Sequence, residues 1–184
     1  MKNIYISIIV LLFCSLSTNA QRFFMRIVNP NILGNVTTPN DHVNDIKLES
    51  FNYNLNNSRS MPFNPNAGSY GKVQAPLITV IIPSGRASAD LFSAVTVGTL
   101  FEKVTVYAQV NTSTNGLQDY AIYEFGYAVF SSINVGVTEA NSENNVALTF
   151  KAANLKVKFK PILPSGDLDP EEEYGWNFQT NAPF

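Results

Sequence analysis

The chain has 184 residues, which fits one domain. Apolar residues make up 45% and charged residues 14%, a balance that supports a packed core and excludes a disordered chain. The formal net charge of -2 supplies no cationic excess to displace counterions, so a nucleic-acid partner is not expected.

The chain opens with Met1-Lys2-Asn3, an apolar run from Ile4 to Leu16, and Ser17-Thr18-Asn19-Ala20 before Gln21. This is the three-part pattern of a secretory signal peptide, with cleavage expected after Ala20. The run is too short for a membrane anchor, which takes about 20 apolar residues. Export to the cell envelope, the periplasm or the outside is therefore expected, with no membrane span after cleavage. The single cysteine, Cys14, lies in the leader behind the bulky Phe13; lipidation there is the minor alternative. The mature chain has no cysteine, so its core must hold the fold without a disulfide.

In the mature chain, residues 22–28 read as a first strand that stops at Asn29-Pro30, because proline drives its predecessor out of the helical region. Turn formers fill 31–45, a loop. Ile46-Lys47-Leu48-Glu49 alternates, and Phe51, Tyr53 and Leu55 continue the alternation one residue out of step, which predicts a bulge near Ser50. Residues 56–71 are rich in Asn, Ser, Gly and Pro and form a connection too long for a simple hairpin. The β-branched block in 73–83 predicts a strand buried on both faces. Ser88 is the expected helix cap, Leu91, Phe92 and Val95 the buried face, and Gly98 the left-handed stop.

Strands resume at 103–110, and Asn115-Gly116 is a hairpin signal. Residues 117–137 are long enough for one bent strand or two. A turn over 138–145 leads to a last alternating run, 146–159, with Lys156, Lys158 and Lys160 near its end. Mature residues through Lys160 hold eleven Lys and Arg against nine Asp and Glu, whereas 161–184 hold five acids and no base. The expected organisation is a leader (1–20), a β domain (21–160) and an acidic tail (161–184).

Candidate chemistry is sparse. The one histidine, His42, lies in a polar loop and reads as structural; with no cysteine beside it, a His or Cys zinc site lacks ligands. A Gly-x-Ser-x-Gly nucleophile turn is absent. Asp167, Asp169 and Glu171 have the alternate spacing of a calcium loop without its glycine and distal glutamate. Glu171-Glu172-Glu173 read as a solvated strip. No catalytic residue, metal or cofactor is expected, and the chain does not read as an enzyme.

The stretch Ala87-Ser88-Ala89-Asp90-Leu91-Phe92-Ser93-Ala94, then Gly98 and Val104-Thr105-Val106, resembles the helix and following strand of the haemolysin-coregulated protein (Hcp) family, the tube protein of type VI secretion. Phe24-Met25-Arg26-Ile27, His42, Ile46-Lys47-Leu48, Ser50-Phe51-Asn52-Tyr53, Tyr120, Val129-Phe130-Ser131-Ser132 and Gly175-Trp176-Asn177 extend the likeness along nearly all of the mature chain. A signal peptide is unusual for that family. The resemblance implies a small Hcp-like β-barrel with one flanking helix, homohexameric rings that stack into a tube, and secreted effector proteins as possible cargo. His42, Ser88, Leu91, Phe92, Gly98 and Trp176 are its family-matching structural residues. Met61, Phe63, Asn64 and Tyr70 mark the place of its ring-stacking loop. The alternative is an exported monomeric β-barrel module that recognises a protein or a glycan.

Overall fold

The computed structural model describes residues 21–37, 42–57, 72–112, 115–136 and 144–184. The leader, Cys14 and the expected stacking loop with Met61, Phe63, Asn64 and Tyr70 lie outside the described residues. The elements run β1 (Arg22–Val28), β2 (Ile46–Leu48), β3 (Ser50–Tyr53), β4 (Ile78–Pro83), α1 (Ala87–Val97), β5 (Leu100–Thr112), β6 (Gly116–Gly136), β7 (Asn145–Phe159), β8 (Glu172–Asn177) and β9 (Ala182–Pro183).

All the strands belong to one antiparallel sheet ordered β2-β1-β5-β6-β7-β4-β3, with β8 also on β7 and β9 on β8. The ladder is open where a barrel was expected. It nevertheless curls back on itself, because its two end strands, β2 and β3, are consecutive in sequence and joined through Glu49. The Glu49 N–H donates to the Ile81 carbonyl at 2.8 Å, which ties that junction to β4. The phase slip at Ser50 is thus a change of partner: β2 pairs with β1 and β3 with β4.

The curl is produced by a corner that crosses the central strands. Side chains that face the core change parity between Phe101 and Val104, between Phe125 and Ala128, and between Ala152 and Leu155. These positions are in register, Phe101 opposite Ala128 opposite Ala152, and Val104 opposite Phe125 opposite Leu155. At the corner Tyr127 has φ 52°, and the Gly126 N–H donates to Asn154 Oδ1 at 3.0 Å. A Cβ on Gly126 would collide with the Asn154 amide, which would have to move and give up this hydrogen bond. Further on, Ser131 is the extra residue of a bulge, and 116–136 forms one bent strand of 21 residues.

The core inside the curl is aromatic. Phe125, Phe150, Phe130 and Phe101 form a chain of ring contacts with centroids 5.1 to 5.6 Å apart, and all four are buried. β4 lies between β7 and β3, inside the sheet as its β-branched composition requires, but its burial alternates and only Ile78, Val80 and Ile82 reach the core.

α1 covers the sheet through Ala87, Leu91 and Ala94, spaced four and three apart. Leu91 is buried as expected, whereas Phe92 is 58% exposed. Adjacent helical residues diverge by about 100°, so a stripe centred on Leu91 turns Phe92 outward. Ser88 falls inside the first turn instead of at the cap, and its Oγ accepts from the Gly85 N–H at 3.0 Å. Gly98 ends the helix at φ 72°, its N–H donating to the Ala94 carbonyl at 3.0 Å. A Cβ there would meet nothing within 4 Å, so Gly98→Ala strains only the backbone. The substitution should cost about 1 kcal/mol, read as a lower urea midpoint at unchanged slope. A loss of several kcal/mol would show that Gly98 does more than end the helix.

The acid-rich segment is part of the sheet and not a separate tail. β8 pairs with β7 from Asn154 to Phe159, and the two acids flanking Glu172 meet the alternating lysines: Glu173 with Lys156 at 2.9 Å, Glu171 with Lys160 at 3.8 Å. Glu124 joins Lys158 at 3.6 Å and Lys103 at 3.9 Å, so the charges form a ladder across β5, β6, β7 and β8. Pairs on such an exposed surface favour this register without dominating stability.

Candidate functional site

The most heavily determined polar site is built around His42. Antiparallel pairing of β1 with β2 sets Met25 opposite Ile46, which brings Arg26 beside Asp45, the residue before β2. The loop ahead of β2 is fixed by backbone bonds, with the Gly34 N–H donating to Asn44 O at 2.7 Å and the Asn44 N–H to Val36 O at 2.8 Å. Asn44 turns the chain at φ 66° and the Asp45 N–H donates to His42 O at 2.9 Å, which drives His42 inward.

His42 is 2% exposed and Asp45 3%. The imidazole lies between two carboxylates, Nδ1 at 2.9 Å from Asp45 Oδ2 and Nε2 at 3.1 Å from Asp119 Oδ1. Arg26 grips Asp45 from the other side, Nε to Oδ1 at 2.8 Å and Nη2 to Oδ2 at 2.9 Å. The ring stacks on Phe24 with centroids 4.5 Å apart and meets Tyr107 edge-on at 4.7 Å, while the Arg26 guanidinium sits 5.2 Å above Tyr107. Burial alone would lower the imidazole pKa. The hydrogen bonds to Asp119 and Asp45 and their negative charges outweigh it and raise the pKa to about 9. At neutral pH, His42 is therefore an imidazolium that donates from both nitrogens, and Arg26, Asp45, His42 and Asp119 alternate in charge.

The arrangement stabilises structure. Both carboxylates are committed to cations, and both His42 nitrogens are occupied, so neither is free to take or give a proton to a substrate. The other sequence-expected positions do not converge on it. Leu91 is in the core, Phe92 faces outward, and Ser88 and Gly98 lie at the two ends of α1. Trp176 is on β8, opposite Leu155 and stacked at 6.4 Å on Tyr174; its buried Nε1 has no hydrogen-bond partner among the described residues. Asp167 lies in a turn with Ser165, and Glu171 faces Lys160. Among the described residues no group of three His, Cys, Asp or Glu could hold a metal ion, and no helix is long and apolar enough to cross a membrane.

The two partners of His42 carry unequal signals in the sequence. Asp45, three residues away, could have been found, since an i, i+3 pair in a turn is a local signal; Asp119, 77 residues away, gives none.

The family model described as "Type VI secretion system effector, Hcp" matches residues 24–157. The chain belongs to the Hcp family. The fold agrees with that of solved Hcp-type proteins. A solved type six secretion system protein superposes at TM-score 0.79 with 19% identity, covering 90% of this chain and 100% of that one. Hcp1 from Salmonella typhimurium superposes at 0.68 with 17% identity, over 90% and 99% of the two chains. A type VI secretion system effector from Yersinia pestis superposes at 0.61 with 12% identity, over 84% and 98%. At such identities the agreement is one of fold. No curated protein matches the sequence.

Membership makes this Hcp chain a type VI secretion tube subunit, a self-associating, exported structural protein and not a member of an enzyme family. His42 and its partners then serve to hold the β1–β2 end of the sheet in place.

Proposed function

We propose that six copies close into a ring, that rings stack into a hollow tube, and that the lumen carries secreted effector proteins. The observation that carries this reading is the family match over residues 24–157, supported by a fold that spans 98 to 100% of the solved counterparts. A ring requires head-to-tail contacts, and a stable one buries about 1,000 Å² or more in total. Exposed apolar side chains are available for it: Phe92 at 58%, Val97 at 77% and Leu100 at 56% lie close in sequence on α1 and the start of β5. Met61, Phe63, Asn64 and Tyr70 keep their proposed part as the ring-stacking contacts. The leader over 1–20 is proposed as the route across the inner membrane, leaving the mature chain to begin at Gln21.

The test is the mass of the chain from Gln21 by light scattering coupled to size exclusion, with negative-stain imaging. A mass of about six subunits with annular particles is expected. Removal of residues 61–70 should leave that mass unchanged and abolish stacked rings. A clean monomer over a wide concentration range would overturn the ring and favour the exported binding module.

A further inference from the structure

A cavity of about 550 Å³ opens where the curled sheet fails to close, between the free edge at β2 and the connection from β4 to α1. That volume lies within the range that accommodates small ligands. Its walls are largely apolar, with Phe23, Leu48 and Pro83 among them, and Arg22, Lys47 and Arg86 stand around it without any lining carboxylate.

These three cations differ from most others in the molecule. Lys103, Lys156, Lys158 and Lys160 face carboxylates, Arg26 holds Asp45, and Lys72 is also engaged. Among the described residues, Arg22, Lys47, Arg86 and Lys151 remain without an ion pair or side-chain hydrogen bond, and three of these four line one cavity. They come from three separate parts of the chain: β1, β2 and the residue before α1. The first turn of α1 adds its positive end to the same wall through Arg86 and Ala87. Elsewhere among the described residues the chain sets most of its cations against carboxylates. Here it gathers one sign around an apolar hollow.

We propose that the cavity binds an amphiphilic anion, an acyl or aryl carboxylate whose apolar body lies against Phe23, Leu48 and Pro83 while its head group meets Lys47 and Arg86. Arginine suits such a head group because its planar fork can donate two parallel hydrogen bonds to a carboxylate. The inference goes beyond the tube reading and does not depend on it, since every residue invoked belongs to one copy.

The experiment is calorimetric titration of the mature chain with decanoate, with decanol as the neutral probe of equal length and inorganic phosphate as the anion without an apolar body. Saturable decanoate binding is expected, at least tenfold tighter than decanol, weakening as salt rises, with no binding of phosphate at the same concentrations. Lys47→Gln and Arg86→Gln, both at exposed positions, should each weaken decanoate at least tenfold while leaving the melting temperature unchanged. Equal binding of decanol, decanoate affinity indifferent to both substitutions, or no saturable binding of decanoate would each overturn the proposal. Light scattering on the same samples keeps the two readings apart: a ring that does not bind decanoate refutes the cavity alone, and a monomer that binds it refutes the ring alone.

Discussion

Replacing His42 with glutamine is expected to lower stability by about 2 to 3 kcal/mol at pH 6, because it removes the cation between the buried Asp45 and the partly exposed Asp119, while Arg26 still holds Asp45. For a domain of this size that is a fall in Tm of roughly 4 to 12 °C. The wild-type protein should show the same dependence through pH. The imidazole titrates at about 9 in the folded chain and at 6.5 when unfolded, so the folded state binds the proton more tightly. Its contribution is fully present below pH 6.5, declines as pH rises, and is lost above 9; the integrated amount is up to about 3 kcal/mol. The groups that face the ring do not blur this window: Asp45 and Asp119 are the counter-charges that cause it, Arg26 stays charged, and burial raises the Tyr107 hydroxyl despite the nearby Arg26. Wild-type Tm measured from pH 6 to 9 should therefore fall, and that of His42→Gln should be nearly flat. A wild-type Tm that does not change over that range would show that His42 is neutral in the folded protein.

The sequence was most informative about local strand character. The β-prone stretches 22–28 and 103–110 and the alternating runs 117–137 and 146–159 mark strands that exist, the third described as far as Gly136, and the β-branched block over 78–83 lies inside the sheet as its composition requires. It was least informative where the fold depends on long-range pairing. The slip at Ser50 has the same local appearance whether one strand bulges or two strands change partners, and only the placement of β1 and β4 distinguishes them. The acids at 171–173 looked like a solvated tail because the lysines that receive them lie at 156 and 160, in a strand whose outer face was legible but whose neighbour was not. For α1 the apolar residues Leu91, Phe92 and Val95 outnumbered the positions that one narrow stripe can bury, and the small residues Ala87 and Ala94 took those positions instead. Of the site, His42 was expected as a structural residue in a polar loop, and its buried place between Asp45 and Asp119 was not legible. The gathering of Arg22, Lys47 and Arg86 around one cavity was not legible either, because it depends on which strands and loops the fold brings together.

The second large effect is expected at Phe150. This ring is fully buried and touches Phe125 and Phe130 at centroid distances of 5.3 and 5.1 Å, while its backbone lies opposite Ile78 of β4 and Phe130 of β6. It therefore joins the two strands that flank β7 as well as the two halves of the aromatic chain. Phe150→Ala removes a side chain that neighbours in a cross-strand lattice cannot easily replace, and should cost about 3 to 5 kcal/mol through lost transfer energy and the residual cavity. Phe150→Leu keeps most of the volume and should cost clearly less. Phe92→Ala is the informative comparison: the same residue type, carried on an exposed helix face, should change monomer stability by no more than about 0.5 kcal/mol. Urea unfolding of the three variants under conditions where each is monomeric separates the cases. If Phe150→Ala and Phe92→Ala cost the same, the core is not organised around β7. If Phe92→Ala leaves the unfolding midpoint unchanged but lowers the mass seen by light scattering, the outward face of α1 serves association, and the exposure that contradicted its sequence pattern is explained by that contact.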